Sequence, residues 1–560
     1  MRRASLLLLL TASCAIAIVH AGATPVRSKT GMVISASEIA SQVGARVLKD
    51  GGNAADAAVA TAFVLAVTHP IAGNIGGGGF LLYRSASGEA AAYDFRERAP
   101  ARASPTMFVK EGKYDPDVHL NGYLSVGVPG TVAGLHLLWK EKGKLPWKRL
   151  VQPAVALARD GFLVSDGLAR SLAEILPQMQ KYPSSIAQFS KNGRPYTVGD
   201  VLKQPVLAST LQRIANQGPA GFYEGPTAEA FEREMVAHGG LITRADLRQY
   251  TAVRRTPLRG TYRGYEVISM PPPSSGGVAL IEMLNVLEGY DLTSMGAGSA
   301  AAVHLMTESM KRAFADRAAF LGDPDFNKDL PLEHLISKPY AADLRKTISR
   351  DHTTKSSPST FEWPKESDET THLSVVDSDR NAVSMTYTIN QNYGARIVLP
   401  GGGFLLNNQM GDFNAAPGLT TANGLIGTSA NLAQPGKRML SSMAPTILLK
   451  DGRLFMVTGS PGARTIINTV LLTIVNVIDF GMNAQEAVDA GRFHHQWLPD
   501  RITYERFSLS PDTLAVLRSK GHEVLEGARQ GTAEVIVYNA VDDMLEGGVD
   551  RRQPDGGAAQ

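Results

Sequence analysis

The chain has 560 residues, of which 44% are hydrophobic and 19% are charged, and its formal net charge is +3. These proportions exclude a largely disordered protein, and the near-neutral charge without a basic block gives no indication of nucleic-acid binding. A chain of this length predicts one large intertwined domain or several smaller ones.

The N-terminus predicts a secretory signal peptide over residues 1–23. Arg2-Arg3 precede an apolar run from Leu6 to Val19, and small residues follow at Ala21-Gly22-Ala23. An uncleaved anchor is the alternative, although the run is short for a membrane span. The one cysteine, Cys14, lies in this segment, so the mature protein would depend on core size rather than disulfides. We expect a periplasmic or secreted protein.

Hydrophobic periodicity and breakers place the elements of the first half of the chain. We predict helices over 37–51, 54–67, 168–179 and 300–320, and strands over 80–83 and 91–95. Asn53 is a suitable cap for the second helix, which is nearly all Ala, Val, Leu and Phe and should be buried on most sides. The Pro- and Gly-rich stretch 270–277 predicts an ordered or extended loop.

Four consecutive glycines, Gly76 to Gly79, precede the first predicted strand. They resemble a phosphate-binding loop only superficially, because no Lys-Ser/Thr follows and no helix is predicted after them. We interpret them as a tight turn that other backbone approaches closely.

A hairpin is predicted near residue 370, after a polar connector over 350–369. Leu373, Val375, Val383, Met385 and Tyr387 alternate with small or polar residues, as in two half-buried strands. The turn between them is 377–381. Thr370 therefore lies where an exposed segment meets a sheet.

The remainder of the chain predicts short strands, a long loop and one more helix. We predict strands over 404–408, 443–449 and 454–458, a helix over 465–480, a functional or mobile loop over 417–435, and a disordered tail over 553–560.

The hairpin carries a family resemblance. Thr-Thr-His-x-Ser-Val-Val-Asp from Thr370, then Asn-Ala-Val-Ser-x-Thr-x-Thr-Ile-Asn and Tyr-Gly, resemble the γ-glutamyltransferase (γ-glutamyl transpeptidase) family of N-terminal nucleophile hydrolases. The resemblance implies an α+β fold, a four-layer αββα sandwich. It also implies a precursor cut before Thr370 into interleaved large (24–369) and small (370–560) subunits. Arg380 stands where the family usually has Gly, which predicts a longer or bulged turn.

The resemblance also implies the catalytic residues. The chain outside Cys14 has no cysteine, Gly-x-Ser-x-Gly elbow or His-Glu-x-x-His motif, so amide cleavage needs another nucleophile. Thr370 would attack the Glu369 carbonyl to free its own α-amine, which then serves as base. Thr388 resembles the threonine that orients the nucleophile. Gly462 and Ala463 occupy the positions of two oxyanion-holding glycines, and alanine retains the N–H donor if φ there need not be positive.

The implied substrate handle is a free α-amino acid head group. Arg96 would bind its α-carboxylate with help from two serine hydroxyls, and Asp412 would bind its α-ammonium. Beside these two charged residues the implied set comprises Asn390, Gln409, Ser441 and Ser442. Asn423 stands where bacterial members often have a lid tyrosine, so we hypothesise a more open pocket. His494-His495 lack a third suitably spaced ligand, which favours a structural role.

The sequence therefore predicts γ-glutamyl transfer or hydrolysis on glutathione and related compounds, with water, amino acids or peptides as acceptors. It implies no metal, no organic cofactor and no membrane or nucleic-acid partner. One alternative is a glutaryl or cephalosporin acylase, or a poly-γ-glutamate processing transferase, of the same fold. The other is an exported binding protein for amino acids or peptides, which would remain one uncut chain.

Overall fold

The computed structural model describes residues 22–356, 370–418 and 428–560, and its secondary structure is mixed. The strands are, in chain order, β1 (Val26–Ser28), β2 (Met32–Ser35), β3 (Gly78–Arg84), β4 (Ala90–Asp94), β5 (Val109–Lys110), β6 (Lys113–Tyr114), β7 (Phe162–Leu163), β8 (Val201–Leu202), β9 (Val253–Arg255), β10 (Leu258–Tyr262), β11 (Tyr265–Ser269), β12 (Thr371–Val376), β13 (Ala382–Thr388), β14 (Thr446–Lys450), β15 (Arg453–Thr458), β16 (Phe493–His494), β17 (Ile502–Glu505), β18 (Val524–Gly527), β19 (Glu534–Asn539), β20 (Met544–Val549) and β21 (Gly557–Ala559).

The helices occupy the segments between these strands. They are α1 (Glu38–Lys49), α2 (Ala54–Thr68), α3 (Pro116–Leu120), α4 (Thr131–Lys142), α5 (Trp147–Asp160), α6 (Asp166–Met179), α7 (Pro183–Phe189), α8 (Pro205–Gln217), α9 (Ala220–Tyr223), α10 (Gly225–His238), α11 (Arg244–Arg248), α12 (Gly276–Leu287), α13 (Leu292–Met295), α14 (Ala300–Phe320), α15 (Leu332–Leu335), α16 (Lys338–Lys346), α17 (Thr465–Ile478), α18 (Ala484–Asp489) and α19 (Pro511–Ser519).

Two seven-stranded sheets form the centre of the molecule. One has the order β1-β20-β19-β15-β14-β11-β10 and the other β21-β2-β12-β13-β3-β4-β9. The second sheet is antiparallel throughout and joins strands from both sides of residue 370. The two proposed subunits would therefore share one sheet.

Helices cover the outer face of each sheet. α1, α2 and α4 pack on the second sheet, α12 and α18 pack on the first, and strands such as β12 and β19 contact each other between the sheets. The alternation of side chains along the strands explains this layering, because one face of each strand packs on the helices and the other face packs on the facing sheet. Val33 and Leu81 join the core under α2, whereas Ile34 and Leu82 join the other core. The predicted four-layer αββα sandwich is confirmed.

The long predicted helices are confirmed with small changes at their ends. All 15 residues of α2 are buried, and Asn53 caps the helix: its side chain accepts from the Asp56 N–H at 3.0 Å, while the Asp56 carboxylate accepts from the Asn53 N–H at 3.1 Å. The predicted loop 270–277 ends two residues early, because α12 begins at Gly276. No helix of the described residues is long and apolar enough to cross a membrane.

The predicted hairpin is confirmed, and it is not bulged. Pairing runs without a shift from Thr371 opposite Tyr387 to Val376 opposite Ala382. Arg380 takes φ +69, the conformation that glycine adopts most easily. The arginine is therefore accommodated by backbone strain at this residue, and the turn is not lengthened.

The glycine run forms the closely approached turn that the sequence predicts. A Cβ on Gly77 would lie 2.0 Å from the Thr388 carbonyl oxygen, and one on Gly78 would lie 2.5 Å from the Phe95 carbonyl oxygen. Side chains at these positions would push β3 away from its neighbours.

The prediction of a strand over 404–408 is wrong. Leu405 makes an isolated bridge to Val398, and short backbone pairing joins Leu406 to Ala395 and Ile397, but no regular strand forms. The Asn407 amide donates to the Gly76 and Gly127 carbonyls, both at 2.8 Å. Apolar periodicity does not distinguish such a short, irregular pairing from a regular strand.

The prediction of a disordered tail over 553–560 is also wrong. β21 pairs antiparallel with β2, and the Ser41 hydroxyl donates to the Gly557 carbonyl at 2.7 Å. The free edge of β2 supplies the backbone partners, so a Gly-Ala-Ala strand forms despite its weak intrinsic preference for strand structure.

Three predictions fall wholly or partly outside the described residues. They are the signal peptide over 1–23, most of the connector that ends at Glu369, and the part of the 417–435 loop that contains Asn423.

Candidate active site

A small cavity, with a volume of about 30 Å³, opens where β12 and β13 meet the loops from both sheets. It brings together residues that are far apart in the sequence. Its lining consists of Arg96, Arg317, Thr370, Thr388, Asn390, Gln409, Asp412, Leu440, Ser441, Ser442, Met443, Ala463 and Ile466. Every predicted site residue of the described part except Gly462 is in this set, and Gly462 immediately precedes Ala463.

Thr370 lies directly before β12, and its side chain is buried except for its face on the cavity, with 6% of the residue exposed. Thr388 ends the neighbouring strand and also lines the cavity. The Thr388 hydroxyl accepts from the Asn390 N–H at 2.9 Å, which fixes its rotamer. Two hydroxyls from adjacent strands thus face one cavity, and strand pairing holds them in place.

An ion pair occupies one side of the cavity. The guanidinium of Arg96, 1% exposed, donates to the Asp412 carboxylate. The Gln409 side-chain amide donates to the same carboxylate at 2.7 Å. Arg96 also donates to the Met439 and Leu440 carbonyls at 3.3 Å each, so its planar group is fixed from several directions.

The serine side of the cavity is built from two loops. Ser274 and Ser275, just before α12, donate their hydroxyls to the Met443 and Ser441 carbonyls. The Ser441 hydroxyl accepts from the Met443 N–H at 3.1 Å. These bonds hold Ser441 and Ser442 beside Leu440, whose carbonyl accepts from Arg96.

Gly462 and Ala463 precede α17, a 14-residue helix. Gly462 has φ +124 and Ala463 has φ +48. The condition set for a harmless alanine is therefore not met, since Ala463 occupies the left-handed region where a Cβ is strained. Ala463 still lines the cavity, and the positive end of the α17 dipole lies close to it.

Sequence reasoning missed three residues that shape this site. Arg317, in the last turn of α14, is 3% exposed and lines the cavity, but it was hidden in a helix assigned by periodicity alone. Asn431 ties two site loops together: its amide donates to the Asp412 carbonyl, and its side-chain oxygen accepts from the Leu440 N–H.

Glu97 is the third, and it follows Arg96 in the chain. Its carboxyl is completely buried, with one oxygen 3.6 Å from the Arg96 guanidinium. Burial raises the pKa of Glu97 to about 8, against the lowering effect of Arg96. A charged residue next to the predicted clamp was the available signal.

The histidines of the C-terminal region bond to protein groups. His494 contacts the Asn468 amide at 2.6 Å and the Gln496 side chain at 2.8 Å, while the His495 ring accepts from the Trp497 N–H. These contacts agree with the structural role predicted for both residues.

One group of metal-type ligands, His304, Glu308 and His522, has its ligand atoms within 4.8 Å of one another. Glu308 already accepts from Arg312 at 2.8 Å and from Thr353 at 2.9 Å, and the two imidazoles bond to each other at 2.7 Å. The ligand atoms of this cluster are therefore engaged in hydrogen bonds within the protein.

Two facing sheets between helical layers, with a threonine at the start of a central strand opening onto a cavity, define the fold of N-terminal nucleophile hydrolases. Agreement with known structures supports that class. A cephalosporin acylase from Bacillus halodurans superposes with a TM-score of 0.84 at 27% identity, covering 98% of this chain and 99% of that one.

The chain belongs to the gamma-glutamyltranspeptidase family, whose model matches residues 40–560. It is 50% identical over 539 residues to a glutathione hydrolase proenzyme of Escherichia coli (strain K12), covering 95% of this chain and 92% of the relative. The Helicobacter pylori gamma-glutamyltranspeptidase structure is similar at a TM-score of 0.56 and 46% identity, covering 56% of this chain and 91% of that one.

Proposed function

We propose that this chain is a self-processing γ-glutamyl transferase and hydrolase that acts on glutathione and related γ-glutamyl compounds. The observation that carries the proposal is one cavity that holds a buried threonine, an arginine, an aspartate and two serines. Membership of the gamma-glutamyltranspeptidase family supports the same activity. The relatives named as proenzymes support a precursor that becomes a two-subunit enzyme.

Self-cleavage comes first. The Thr370 hydroxyl attacks the Glu369 carbonyl, the acyl group moves from nitrogen to oxygen, and water hydrolyses the ester. This leaves a carboxylate on residues 24–369 and a free α-amine on Thr370. A model α-amine has a pKa of about 7.7 to 8.0, so a useful fraction is neutral near pH 7. Nucleophile and base then belong to the same residue.

The substrate head group replaces an internal contact. Arg96 and Asp412 bond to each other, and a zwitterionic glutamyl group offers a carboxylate to the first and an ammonium to the second. The buried Arg96 and the partly buried Asp412 therefore exchange one ionic partner for another, which avoids leaving either charge unpaired. Ser441 and Ser442 add hydroxyl donors to the carboxylate, while Asn390 and Gln409 border the ammonium side.

Acyl transfer uses the freed amine. The Thr370 hydroxyl gives its proton to the amine and attacks the γ-carbonyl, whose oxygen becomes an anion that the Gly462 and Ala463 N–H groups stabilise. The proton then passes to the leaving nitrogen as the amide bond breaks. Water or an acceptor amine attacks the γ-glutamyl ester in the same way and restores Thr370. Thr388 orients the nucleophile throughout.

An acylase of the same fold is the second candidate, and the structural similarity to the Bacillus halodurans cephalosporin acylase supports it. Asp412 distinguishes the two, because a glutaryl group has no α-ammonium for this carboxylate. Asp412 lies beside Arg96 and accepts from Gln409, an arrangement that suits a free amino acid.

We also propose export, directed by residues 1–23.

The test is Thr370→Ala, with Thr371→Ala as the matched control. Thr370→Ala should remain one uncut chain without γ-glutamyl turnover. Thr371→Ala should still split into two bands on a denaturing gel, because the Thr371 side chain faces the helix layer rather than the cavity. Normal splitting and turnover in Thr370→Ala would refute the assignment of the nucleophile.

A further inference from the structure

Arg317 is a basic residue of the cavity to which the mechanism above gives no task. It lies in the last turn of α14, and its guanidinium reaches from the helix layer to the cavity wall. One nitrogen donates to the Ser442 hydroxyl oxygen at 3.0 Å, and Nε donates to the Ser275 hydroxyl oxygen at 2.8 Å.

The two serine contacts differ in what they leave available. A serine hydroxyl has one proton to donate and can also accept. Ser275 donates its proton to the Ser441 carbonyl at 2.6 Å while it accepts from Arg317. Ser442 accepts from Arg317 as well, so its own proton points away from the guanidinium, and the residue lines the cavity where a ligand could accept that proton.

A hydroxyl that accepts from a cation is polarised and becomes a better donor to an anion. Among the described residues, the charged ones that line the cavity are Arg96, Arg317 and Asp412. Asp412 contacts Arg96, whereas Arg317 contacts Ser442. The guanidinium of Arg317 thus lies behind the Ser442 hydroxyl, and a hydroxyl polarised in this way suits a carboxylate.

We propose that Arg317 is a positioning residue for substrate recognition, which sets the Ser442 hydroxyl as a donor to the α-carboxylate of the γ-glutamyl group. This inference rests on the proposed function. It makes Arg317 a determinant of specificity for substrates that carry this carboxylate, acting through Ser442.

The experiment compares two substrates on purified, processed protein. One is γ-L-glutamyl-p-nitroanilide, and the other is 4-aminobutyryl-p-nitroanilide, which lacks only the α-carboxylate. Arg317→Gln should raise KM for the first by about 10- to 100-fold, as for the loss of a hydrogen bond to a charged group. Its kcat should change little, and kcat/KM for the second substrate should change less than threefold, about 0.6 kcal/mol.

Coupling to Ser442 gives a second readout. Ser442→Ala should show a similar loss, and the double variant Arg317→Gln/Ser442→Ala should be no worse than either single variant, because both remove the same donor. Arg317→Lys retains the charge but not the two-pronged contact, and it should recover only part of the discrimination.

Arg312→Gln is the matched control, since Arg312 lies on the same helix and bonds to Glu308 and Thr347 away from the cavity. It should lower thermal stability without altering the ratio of the two substrates. Equal losses on both substrates in Arg317→Gln, or losses that multiply in the double variant, would overturn the inference and leave Arg317 a structural residue. A wild-type protein that cleaves neither anilide would instead refute the proposed function.

Discussion

Replacing Asp412 with asparagine tests the proposed recognition of the α-ammonium group. The substitution keeps the shape of the side chain and removes its charge. Arg96 would lose its anionic partner but retain the Met439 and Leu440 carbonyls, each at 3.3 Å. Gln409 could still donate to the new amide oxygen. We therefore expect the processed protein to fold.

The magnitude follows from the contact that is lost. A hydrogen bond to a charged group contributes about 1.5–3 kcal/mol, which corresponds to roughly 10- to 100-fold in affinity. KM for γ-L-glutamyl-p-nitroanilide should rise by that factor in Asp412→Asn. Glutaryl-p-nitroanilide has no ammonium group, so its kcat/KM should stay constant or rise. The assay is steady-state release of nitroaniline from both substrates, and the ratio of their kcat/KM values is the decisive quantity.

The control is Asp542→Asn, which removes a carboxylate that pairs with Arg27 on the surface, where the side chain is 48% exposed. It should leave the ratio unchanged. If Asp412→Asn lowers kcat/KM equally for the glutamyl and glutaryl substrates, Asp412 serves only to hold Arg96, and the reasoning about the ammonium group is refuted.

Three further changes probe the site and its surroundings. Ala463→Gly removes a Cβ at φ +48 and should stabilise the protein by about 1 kcal/mol, seen as a higher Tm; a lower Tm would contradict the strain argument. Glu97→Gln should raise kcat/KM relative to wild type between pH 7 and 9. The pKa of Glu97 is about 8, and above this pH the Glu97 carboxylate, 3.6 Å from Arg96, competes with the substrate carboxylate. A variant-to-wild-type ratio of kcat/KM that stays constant with pH would show no competition. Burial lowers the pKa of His372 and of His522 to about 3 from 6.5. Stability should therefore be complete above pH 6.5 and fall as the pH decreases, by about 2 kcal/mol per ring at pH 5. The Tm of the uncut Thr370→Ala chain between pH 7 and 5 measures this, and a flat profile would be inconsistent with neutral buried rings.

Periodicity predicted the elements that bury one continuous face. The helices at 54–67 and 300–320 and the paired strands around the 377–381 turn were found because burial imposes an apolar spacing on them. Elements whose conformation depends on residues elsewhere in the chain were not predicted correctly. The strand at 557–559 depends on the free edge of β2, and the segment 404–408 makes only short, irregular backbone pairing with residues 395–399.

The site residues divide in the same way. Arg96, Thr370 and Asp412 were predicted through motifs that lie in loops or at strand ends, and family resemblance supplied their roles. Arg317 was not found, because its importance arises only when α14 is packed against the loop that holds Ser442. Spacing within one helix contains no information about which loop the helix will meet.

N-terminal sequencing of the purified, active protein, together with the intact masses of its fragments, tests the central claim most directly. We predict a large fragment that ends at Glu369 and a small fragment, residues 370–560, whose first residue is Thr370. An active protein that yields no fragment beginning at Thr370 would contradict the account.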